Sequence, residues 1–368
     1  MRRPILTEIV RNLPALVPFV GPEAQERARG RPFRARLGAN ESVFGPSPAA
    51  IRVMQAAAAE NWKYSDPESH DLRHAIAAFH GVGAANIVIG EGIDGLLGLA
   101  VRMAVDPGSP VVTSAGAYPT FNFHVAAQGG RLVKVPYRAD KEDLAGLLDA
   151  AKRDGARALY VSNPDNPMGS WWTADEIVRL IERLPDGVLL CLDEAYCDTA
   201  PPDALAPLDV SNPQVLRFRT FSKAYGLAGA RIGYCVGESG LIGNFEKVRN
   251  HYGINRVGQI GALAALEDQA YLAEAVAAIA GARERIGEIA RANGLEPLPS
   301  AANFVAIDCG RDGAFARRVL HEVLERDVFA RKPGVPPLDR CIRISCGREQ
   351  DLAVFAEVLP QALAAARR

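Results

Sequence analysis

Residues 220–233, T-F-S-K-A-Y-G-L-A-G-A-R-I-G, place a single lysine, Lys223, among groups that suit covalent chemistry. The hydroxyls of Thr220 and Ser222 stand beside it, and Arg231 follows after several small residues. A lysine alone indicates no function, because lysine is usually a hydrated surface charge. Here two hydroxyls and a guanidinium could share one phosphate, and small residues let a planar group approach the backbone. A lysine that forms a Schiff base with a phosphorylated aldehyde cofactor requires this grouping.

A glycine-rich turn, G-E-G-I-D-G at 90–95, follows a predicted strand at 86–89 and precedes an apolar helix. Its spacing matches the dinucleotide-binding pattern, which also needs an acidic residue about twenty positions later to bind a ribose. The next strand, at 110–113, leads into T-S-A-G-A-Y without such an acid, so the pattern does not favour a nicotinamide oxidoreductase. The backbone N–H groups at 92–94 still predict an anion site, which suits a monophosphate.

His70 and His74 are four residues apart on a predicted helix, a spacing that could hold a metal ion. The sequence around them supplies neither a third ligand nor the glutamate that accompanies such a pair in zinc hydrolases. We therefore expect solvated histidines here and no metal.

Short apolar strands alternate with loops and helices from residue 86 to residue 236. Strands of near-continuous apolar character favour a mostly parallel sheet with helices on both faces. Ligands of such sheets bind at the carboxyl ends of the strands. Asn166, Asp193 and Lys223 each come just after a predicted strand, so we expect them to meet at this edge.

The last hundred residues predict a second, smaller domain. A long amphipathic helix at 271–292 precedes two further strands, at 303–308 and 340–345. The predicted organisation is an N-terminal segment that joins the small domain (1–45), a large domain (46–265) and a small C-terminal domain (266–368).

Composition excludes several classes of protein. The 368 residues carry 42 Lys and Arg against 43 Asp and Glu, a net charge of −1, which indicates neither a nucleic-acid partner nor a membrane surface. No apolar run approaches the roughly eighteen residues of a membrane span. The six cysteines form no C-x-x-C pair, as is typical of a reduced, cytoplasmic protein. The polar, proline-containing N-terminus is unlike a signal peptide.

Three motifs follow one another along the chain: N-P-D-N-P-M-G at 163–169, D-E-A-Y at 193–196 and S-K-A-Y-G-L-A-G-A-R at 222–231. Together they resemble the fold-type-I pyridoxal-phosphate (PLP) aminotransferases of class I/II, most closely the histidinol-phosphate aminotransferase branch. The resemblance extends from L-G-A-N-E-S at 37–42 to R-I-S-C-G at 343–347. It implies an α/β protein of PLP-transferase fold type I, with a mostly parallel central sheet, helices on both faces and a smaller α+β domain.

The resemblance also implies how the cofactor, PLP, would be held. Lys223 would bond covalently to its aldehyde, and Asp193 would pair with its pyridine nitrogen and keep that nitrogen protonated. Tyr196 and Asn166 would hydrogen-bond the phenolate oxygen of the ring. Phe121 would stack on the ring face.

The phosphate of the cofactor would lie between the lysine segment and the glycine-rich turn. Tyr64 resembles a family tyrosine that reaches the phosphate from the neighbouring subunit, which implies an obligate homodimer with active sites at the interface. The ligands implied within the subunit are Thr220, Ser222, Arg231, Gly92, Ile93 and Asp94.

Three further residues resemble substrate ligands of the family. Arg343, in R-C-I-R-I-S, would bind a carboxylate through two parallel hydrogen bonds from its guanidinium, and Arg331 would bind a distal anion. Asn40 would close over the substrate. The implied reaction is transamination between an amino acid or amino-alcohol phosphate and a 2-oxo acid, expected to be 2-oxoglutarate.

Three departures from the histidinol-phosphate pattern, at Phe19, in the phosphate-binding turn and at Met168, leave the amino donor open. Phe19 stands where family members commonly have a tyrosine that touches the substrate phosphate. Ile93 and Gly95 are unusual in the phosphate-binding turn, and Met168 replaces a threonine. An aromatic or other amino-acid aminotransferase and a PLP-dependent amino-acid phosphate decarboxylase are therefore alternatives, and a nicotinamide oxidoreductase is a distant one.

Overall fold

The computed structural model describes residues 5–14 and 19–368. No helix in this part of the chain is long and apolar enough to cross a membrane. The strands are β1 (Ala35–Arg36), β2 (Ile87–Gly90), β3 (Pro110–Ser114), β4 (Arg131–Val135), β5 (Ala158–Ser162), β6 (Leu189–Asp193), β7 (Val215–Thr220), β8 (Gly233–Gly237), β9 (Glu296–Pro297), β10 (Phe304–Asp308), β11 (Val328–Phe329) and β12 (Cys341–Ser345). The α-helices are α1 (Glu8–Asn12), α2 (Pro22–Arg29), α3 (Pro48–Ala58), α4 (His70–His80), α5 (Gly92–Ala104), α6 (Pro119–Ala127), α7 (Leu144–Asp154), α8 (Ala174–Glu182), α9 (Ser239–Gly243), α10 (Arg256–Glu267), α11 (Gln269–Ala292), α12 (Gly313–Glu325) and α13 (Glu349–Ala366).

The central sheet has the strand order β2-β8-β7-β6-β5-β3-β4. Only β8 runs against its neighbours, β2 and β7, and the other neighbouring pairs in the sheet are parallel. The prediction of a mostly parallel sheet is therefore confirmed.

Helices cover both faces of this sheet, because successive side chains of a strand point to opposite sides. On β5, Tyr160 belongs to a buried cluster with helices α5 and α6, whereas Leu159 belongs to a cluster with α7 and α8. Helices α3, α4 and α10 pack against β2 and β8. Burial on both faces explains why these strands lack the polar-apolar alternation of a half-exposed sheet.

A smaller unit contains the remaining strands. β10 lies between β9 and β12 in an antiparallel sheet, and β1 pairs in parallel with β11. One buried cluster joins β1, β10, β11 and β12 to α11, α12 and α13. The structure thus contains the smaller α+β unit, while the domain boundaries at residues 45 and 265 stay a prediction.

The lysine segment and the glycine-rich turn meet at the carboxyl edge of the central sheet. Gly92 starts α5 with a positive φ of 74°, a conformation that glycine adopts without steric cost. A Cβ on Gly233 would lie 2.9 Å from the backbone nitrogen of Ile93. Glycine at this position therefore allows the two segments to lie against each other.

Candidate active site

A cavity of about 230 Å³ lies at this edge of the sheet. It brings together most of the residues that the sequence predicts for the site. The predicted residues in its lining are Ile93, Asp94, Asn166, Asp193, Tyr196, Thr220, Ser222, Lys223 and Arg231. The other lining residues are Ala39, Glu41, Tyr118, Ala195 and Ala228.

The amine of Lys223 is held in place by the N-terminal segment. Its Nζ donates a 3.1 Å hydrogen bond to the backbone carbonyl of Asn40. Asn40 has a left-handed φ of 57°, which asparagine tolerates better than most residues. Ser345 Oγ accepts from the backbone N–H of Asn40 at 3.0 Å, and Asn303 Nδ2 donates to its carbonyl at 2.9 Å. A fixed carbonyl therefore orients the lysine amine.

The surroundings of Lys223 favour its neutral form. Burial, followed by the positive charge of Arg343, lowers the pKa of Lys223 to about 8, although Asp193 acts in the opposite direction. At pH 7 about a tenth of such an amine is neutral, against fewer than about one in a thousand for an ordinary lysine. The neutral amine is the form that acts as nucleophile and base. The cavity therefore prepares Lys223 for covalent chemistry.

Asp193 ends β6 and presents a fixed carboxylate at the cavity wall. Its Oδ2 accepts a hydrogen bond from Tyr160 Oη at 2.7 Å, and its Oδ1 accepts one from the backbone N–H of Ala195 at 2.9 Å. Burial raises the pKa of Asp193, whereas these two bonds and the charge of Lys223 oppose that rise. A carboxylate held in this way can pair with a cationic nitrogen of a ligand.

The structure corrects the role predicted for Phe121. Its ring is fully buried and stacks on Tyr160, with ring centroids 4.5 Å apart, so it does not line the cavity. Tyr118, which the sequence analysis missed, lines the cavity instead. Helix α6 begins at Pro119, so Tyr118 precedes the helix and lines the cavity. Phe121 lies in the first turn of the helix and packs on Tyr160 of the sheet.

The hydroxyl of Tyr196 accepts hydrogen bonds from two side-chain amides. The donors are Nδ2 of Asn40 at 3.1 Å and Nδ2 of Asn166 at 3.5 Å. Because its oxygen is the acceptor in both bonds, its own proton remains available to a ligand. Burial raises the pKa of Tyr196 to about 12, so the hydroxyl keeps this proton at neutral pH.

Arg343, on β12, lies beside Asn166. Its Nη1 donates to Asn166 Oδ1 at 2.6 Å, and its Nη2 donates to the carbonyl of Gly38 at 3.4 Å. Its Nε has no hydrogen-bond partner among the described residues. Arg343 is half-buried and lies 5.0 Å from the ring centroid of Phe304, but it is not among the residues that line the cavity. Its role as a carboxylate ligand stays a prediction.

The predicted phosphate ligands lie close together. Ser222 Oγ lies 3.0 Å from Thr220 Oγ1 and 3.4 Å from Arg231 Nη1. A Cβ on Gly92 would lie 2.5 Å from Arg231 Nη2, so only glycine leaves room for this guanidinium. Helix α5 starts at Gly92 without a side-chain cap, which leaves its first N–H groups for a ligand.

Arg331 lies outside the cavity lining, next to Arg343. The two residues exchange backbone hydrogen bonds of 3.2 and 2.6 Å. Arg331 Nη2 donates to the carbonyl of Val20 at 2.6 Å, and its guanidinium lies 3.8 Å from the ring centroid of Phe19. Burial, followed by the charge of Arg343, lowers the pKa of Arg331 to about 10. The role of Arg331 as a ligand of a distal anion stays a prediction.

Tyr64 is not among the residues that line the cavity. Tyr64 is 82% exposed and Tyr252 is 56% exposed. The centroids of their rings lie 4.9 Å apart. Trp62, two positions earlier, is 78% exposed. Three exposed aromatic residues, two of them in contact, are more than the scattered apolar residues that a protein surface normally shows.

Glu41 is a second lining residue that the sequence analysis missed. It follows Asn40, and its negative charge raises the pKa of Lys223. The motif L-G-A-N-E shows an acidic residue here, but only the folded chain shows that it faces the lysine. The opposing charges of Glu41 and Arg343 therefore both act on the same amine.

The fold and the cavity define a fold-type-I aminotransferase, as the resemblance in sequence implies. A sequence profile described as aminotransferase class I and II matches residues 35–359. The chain belongs to this family, and the predicted enzyme class, a transaminase, is confirmed.

Its relatives match along nearly the whole chain. The histidinol-phosphate aminotransferase of Moorella thermoacetica is 32% identical over 98% of this chain and 94% of its own length. The histidinol-phosphate aminotransferase 2 of Ralstonia nicotianae is 34% identical over 96% of each chain. A crystal structure of histidinol-phosphate aminotransferase from Sinorhizobium meliloti in complex with pyridoxal-5'-phosphate is 54% identical, with a TM-score of 0.95 over 98% of this chain and 97% of that one.

Proposed function

We propose that the chain is a PLP-dependent aminotransferase that takes the amino group of histidinol phosphate and passes it to a 2-oxo acid. The proposal rests on the surroundings of the Lys223 amine. This amine lies in a cavity that also contains a fixed carboxylate and the predicted phosphate ligands, and the surroundings lower its pKa to about 8. A phosphorylated aldehyde with a basic ring nitrogen needs these three groups.

The residues of the cavity fit PLP. Ser222, Arg231 and the N-terminus of α5 would hold its phosphate, because a dianion needs several donors and the positive end of a helix dipole. Asp193 would pair with its ring nitrogen, and the hydroxyl of Tyr196 would donate to its phenolate oxygen. Bound PLP would supply an electron sink for the electron pair left when the substrate loses its α-proton.

The side chains of the protein would bind the substrate and move the proton. Lys223 Nζ would take the α-proton of the amino donor, since its lowered pKa makes the neutral amine available near neutral pH. Arg343 would orient the carboxylate of the 2-oxo acid, because a guanidinium pairs well with a carboxylate. Asn166 would keep that guanidinium in place through its 2.6 Å hydrogen bond.

Two adjacent arginines support a donor with an anion at its far end. Arg331 and Arg343 are neighbours in the fold, and burial lowers the pKa of each. The charge of Arg343 lowers the pKa of Arg331 further, so an anion beside Arg331 would relieve unfavourable charge. Phe19 covers one face of Arg331 and Val20 takes one donor, but a guanidinium has five N–H donors. The remaining donors can bind a phosphate.

A panel of amino donors tests this assignment. We expect histidinol phosphate to remove the visible absorption of the cofactor faster than phenylalanine, tyrosine, aspartate or glutamate in single-turnover experiments. Arg331→Gln is expected to slow the reaction of histidinol phosphate by about ten- to a hundredfold, the effect of losing one hydrogen bond to a charged group. The rate of reaction of phenylalanine should stay unchanged. Arg285→Gln, at a half-exposed arginine of α11, is the matched control.

The panel also separates the alternatives. Faster reaction of phenylalanine or tyrosine would overturn the choice of donor and favour an aromatic aminotransferase, consistent with Phe19 over Arg331. Release of CO₂ from an amino-acid phosphate without consumption of a 2-oxo acid would identify a decarboxylase. Binding of a nicotinamide cofactor without visible absorption would contradict the whole assignment.

The active enzyme is, in this proposal, a homodimer in which Tyr64 of each subunit reaches the phosphate site of the other. The exposure of Tyr64 and Trp62 supports a surface that a second copy covers. Tyr64→Phe is expected to weaken PLP binding by about ten- to a hundredfold, since a hydrogen bond to a phosphate is lost. Tyr252→Phe keeps the aromatic contact and serves as the control.

A mixed dimer tests which subunit supplies Tyr64. Subunits that carry Tyr64→Phe, combined with subunits that carry Lys223→Ala, should form one fully intact site per mixed dimer. We expect tight cofactor binding to return at that site. Absence of this recovery in verified mixed dimers would show that Tyr64 does not act across an interface.

A further inference from the structure

Tyr160 lies behind the cavity and contacts the carboxylate that faces it. The residue is fully buried on β5, and its Oη donates a 2.7 Å hydrogen bond to Oδ2 of Asp193 on the neighbouring strand β6. The other oxygen, Oδ1, already accepts from the backbone N–H of Ala195. Both carboxylate oxygens therefore have a donor from the protein, and the plane of the group is fixed.

Phe121 holds the ring of Tyr160 in this position. The two rings are stacked at 4.5 Å with an interplanar angle of 21°, and both are fully buried. Burial, followed by the negative charge of Asp193, raises the pKa of Tyr160 well above its usual value. The phenol is therefore a hydrogen-bond donor at every working pH and does not compete with the carboxylate as a second anion.

We propose that Tyr160 is a positioning residue that orients the carboxylate of Asp193 and keeps it ionised towards the bound cofactor. The inference rests on the proposed function. A buried carboxylate is driven towards its neutral form, and a neutral Asp193 could not keep a ring nitrogen protonated. The hydrogen bond from Tyr160 stabilises the charged form, so it strengthens the interaction that makes the cofactor an electron sink.

Packing alone is the alternative role. A tyrosine in a protein core needs a partner for its hydroxyl, and Asp193 would serve as that partner without any effect on the cofactor. Both roles predict a loss of stability when the hydroxyl is removed. They differ in whether the properties of the bound cofactor change.

Tyr160→Phe tests the inference, because it removes the hydroxyl and keeps the ring that stacks on Phe121. We expect the affinity of the apoprotein for PLP to fall by about tenfold, the effect of one lost hydrogen bond to a charged group. The apparent pKa of the visible absorption should rise by about half a unit or more. The reason is that a pyridine ring of PLP that is less fully protonated places less positive charge near the lysine nitrogen. The turnover number should fall while the KM for the amino donor stays unchanged.

Tyr137→Phe is a matched control. Tyr137 is also buried and donates a 2.8 Å hydrogen bond to a buried carboxylate, that of Asp165, which does not line the cavity. Both variants should lose thermal stability, but only Tyr160→Phe should change cofactor affinity and the absorption titration. Equal changes in both variants, or none in Tyr160→Phe, would overturn the inference.

A double-mutant cycle shows whether Tyr160 acts through Asp193. In an Asp193→Asn background, Tyr160→Phe should change neither the affinity for PLP nor the titration any further. Additive effects would contradict the inference. If Tyr160→Phe does not fold, Phe121→Leu is the second test, because it removes the ring that stacks on Tyr160. This variant should also raise the pH at which the visible absorption titrates. An unchanged titration would refute the proposal. Wild-type protein that neither binds PLP nor transaminates would refute the proposed function instead.

Discussion

Replacing Lys223 with alanine is expected to abolish transamination and the visible absorption of the bound cofactor. The substitution removes the only lysine among the described residues that line the cavity, and with it both the proposed covalent link to PLP and the proposed base that takes the α-proton. We expect the turnover number to fall by about four orders of magnitude or more, since loss of the base alone costs about two to four. Absorption spectra of the purified holoenzyme and a coupled transamination assay measure the two effects.

Lys141→Ala is the matched control for this substitution. Lys141 also donates a hydrogen bond to a backbone carbonyl, that of Trp171 at 3.0 Å, but it lies outside the cavity. Its replacement should leave the absorption and turnover intact. An active, yellow Lys223→Ala protein would refute the assignment of Lys223.

The lowered pKa of Lys223 gives this prediction a pH dependence. The apoprotein should capture PLP at a rate that rises about tenfold per pH unit below pH 8, because only the neutral amine attacks an aldehyde. Above pH 8 the rate should level off, since most of the amine is already neutral. A rate that keeps rising towards pH 10 would mean that the amine has the pKa of an ordinary lysine.

Asp193→Asn is expected to have the second largest effect on activity. Asparagine keeps the shape of the side chain and removes the negative charge that favours a protonated ring nitrogen. Loss of one such electrostatic contact costs about a hundred- to a thousandfold in turnover number, so we expect a decrease of this size. Steady-state kinetics and the affinity for PLP check the result.

Asp165→Asn controls for the loss of a buried carboxylate in the same region. Asp165 is as buried as Asp193 and accepts hydrogen bonds from Tyr137 and Met168, but it does not line the cavity. Its replacement should change stability more than turnover. Similar losses of turnover in the two variants would mean that Asp193 has no special role.

Much of the site follows from the sequence because it depends on where strands end. Asn166 and Lys223 each follow a strand and Asp193 ends one, and the apolar run of each strand is visible in the sequence. Parallel strands bring their carboxyl ends to one edge. The position of these residues at the ends of strands therefore predicts that they meet at one edge of the sheet.

The details that sequence reasoning missed depend on helix phase and on distant partners. Tyr118 and Phe121 are both aromatic residues after β3, and only the start of α6 at Pro119 decides which one faces the cavity. Asn40 was predicted to close over the substrate, but its carbonyl also binds the lysine amine. That contact depends on residues about 300 positions away and leaves no local pattern.

The bond between Asn40 and Ser345 has a consequence for how the protein is made. These residues are 305 positions apart, and both lie next to the reactive amine or to the group that orients it. A chain still being synthesised on the ribosome can complete much of the central sheet before Ser345, the partner that fixes residue 40, has been added. We therefore expect the lysine amine to reach its final orientation only after Ser345 has been added.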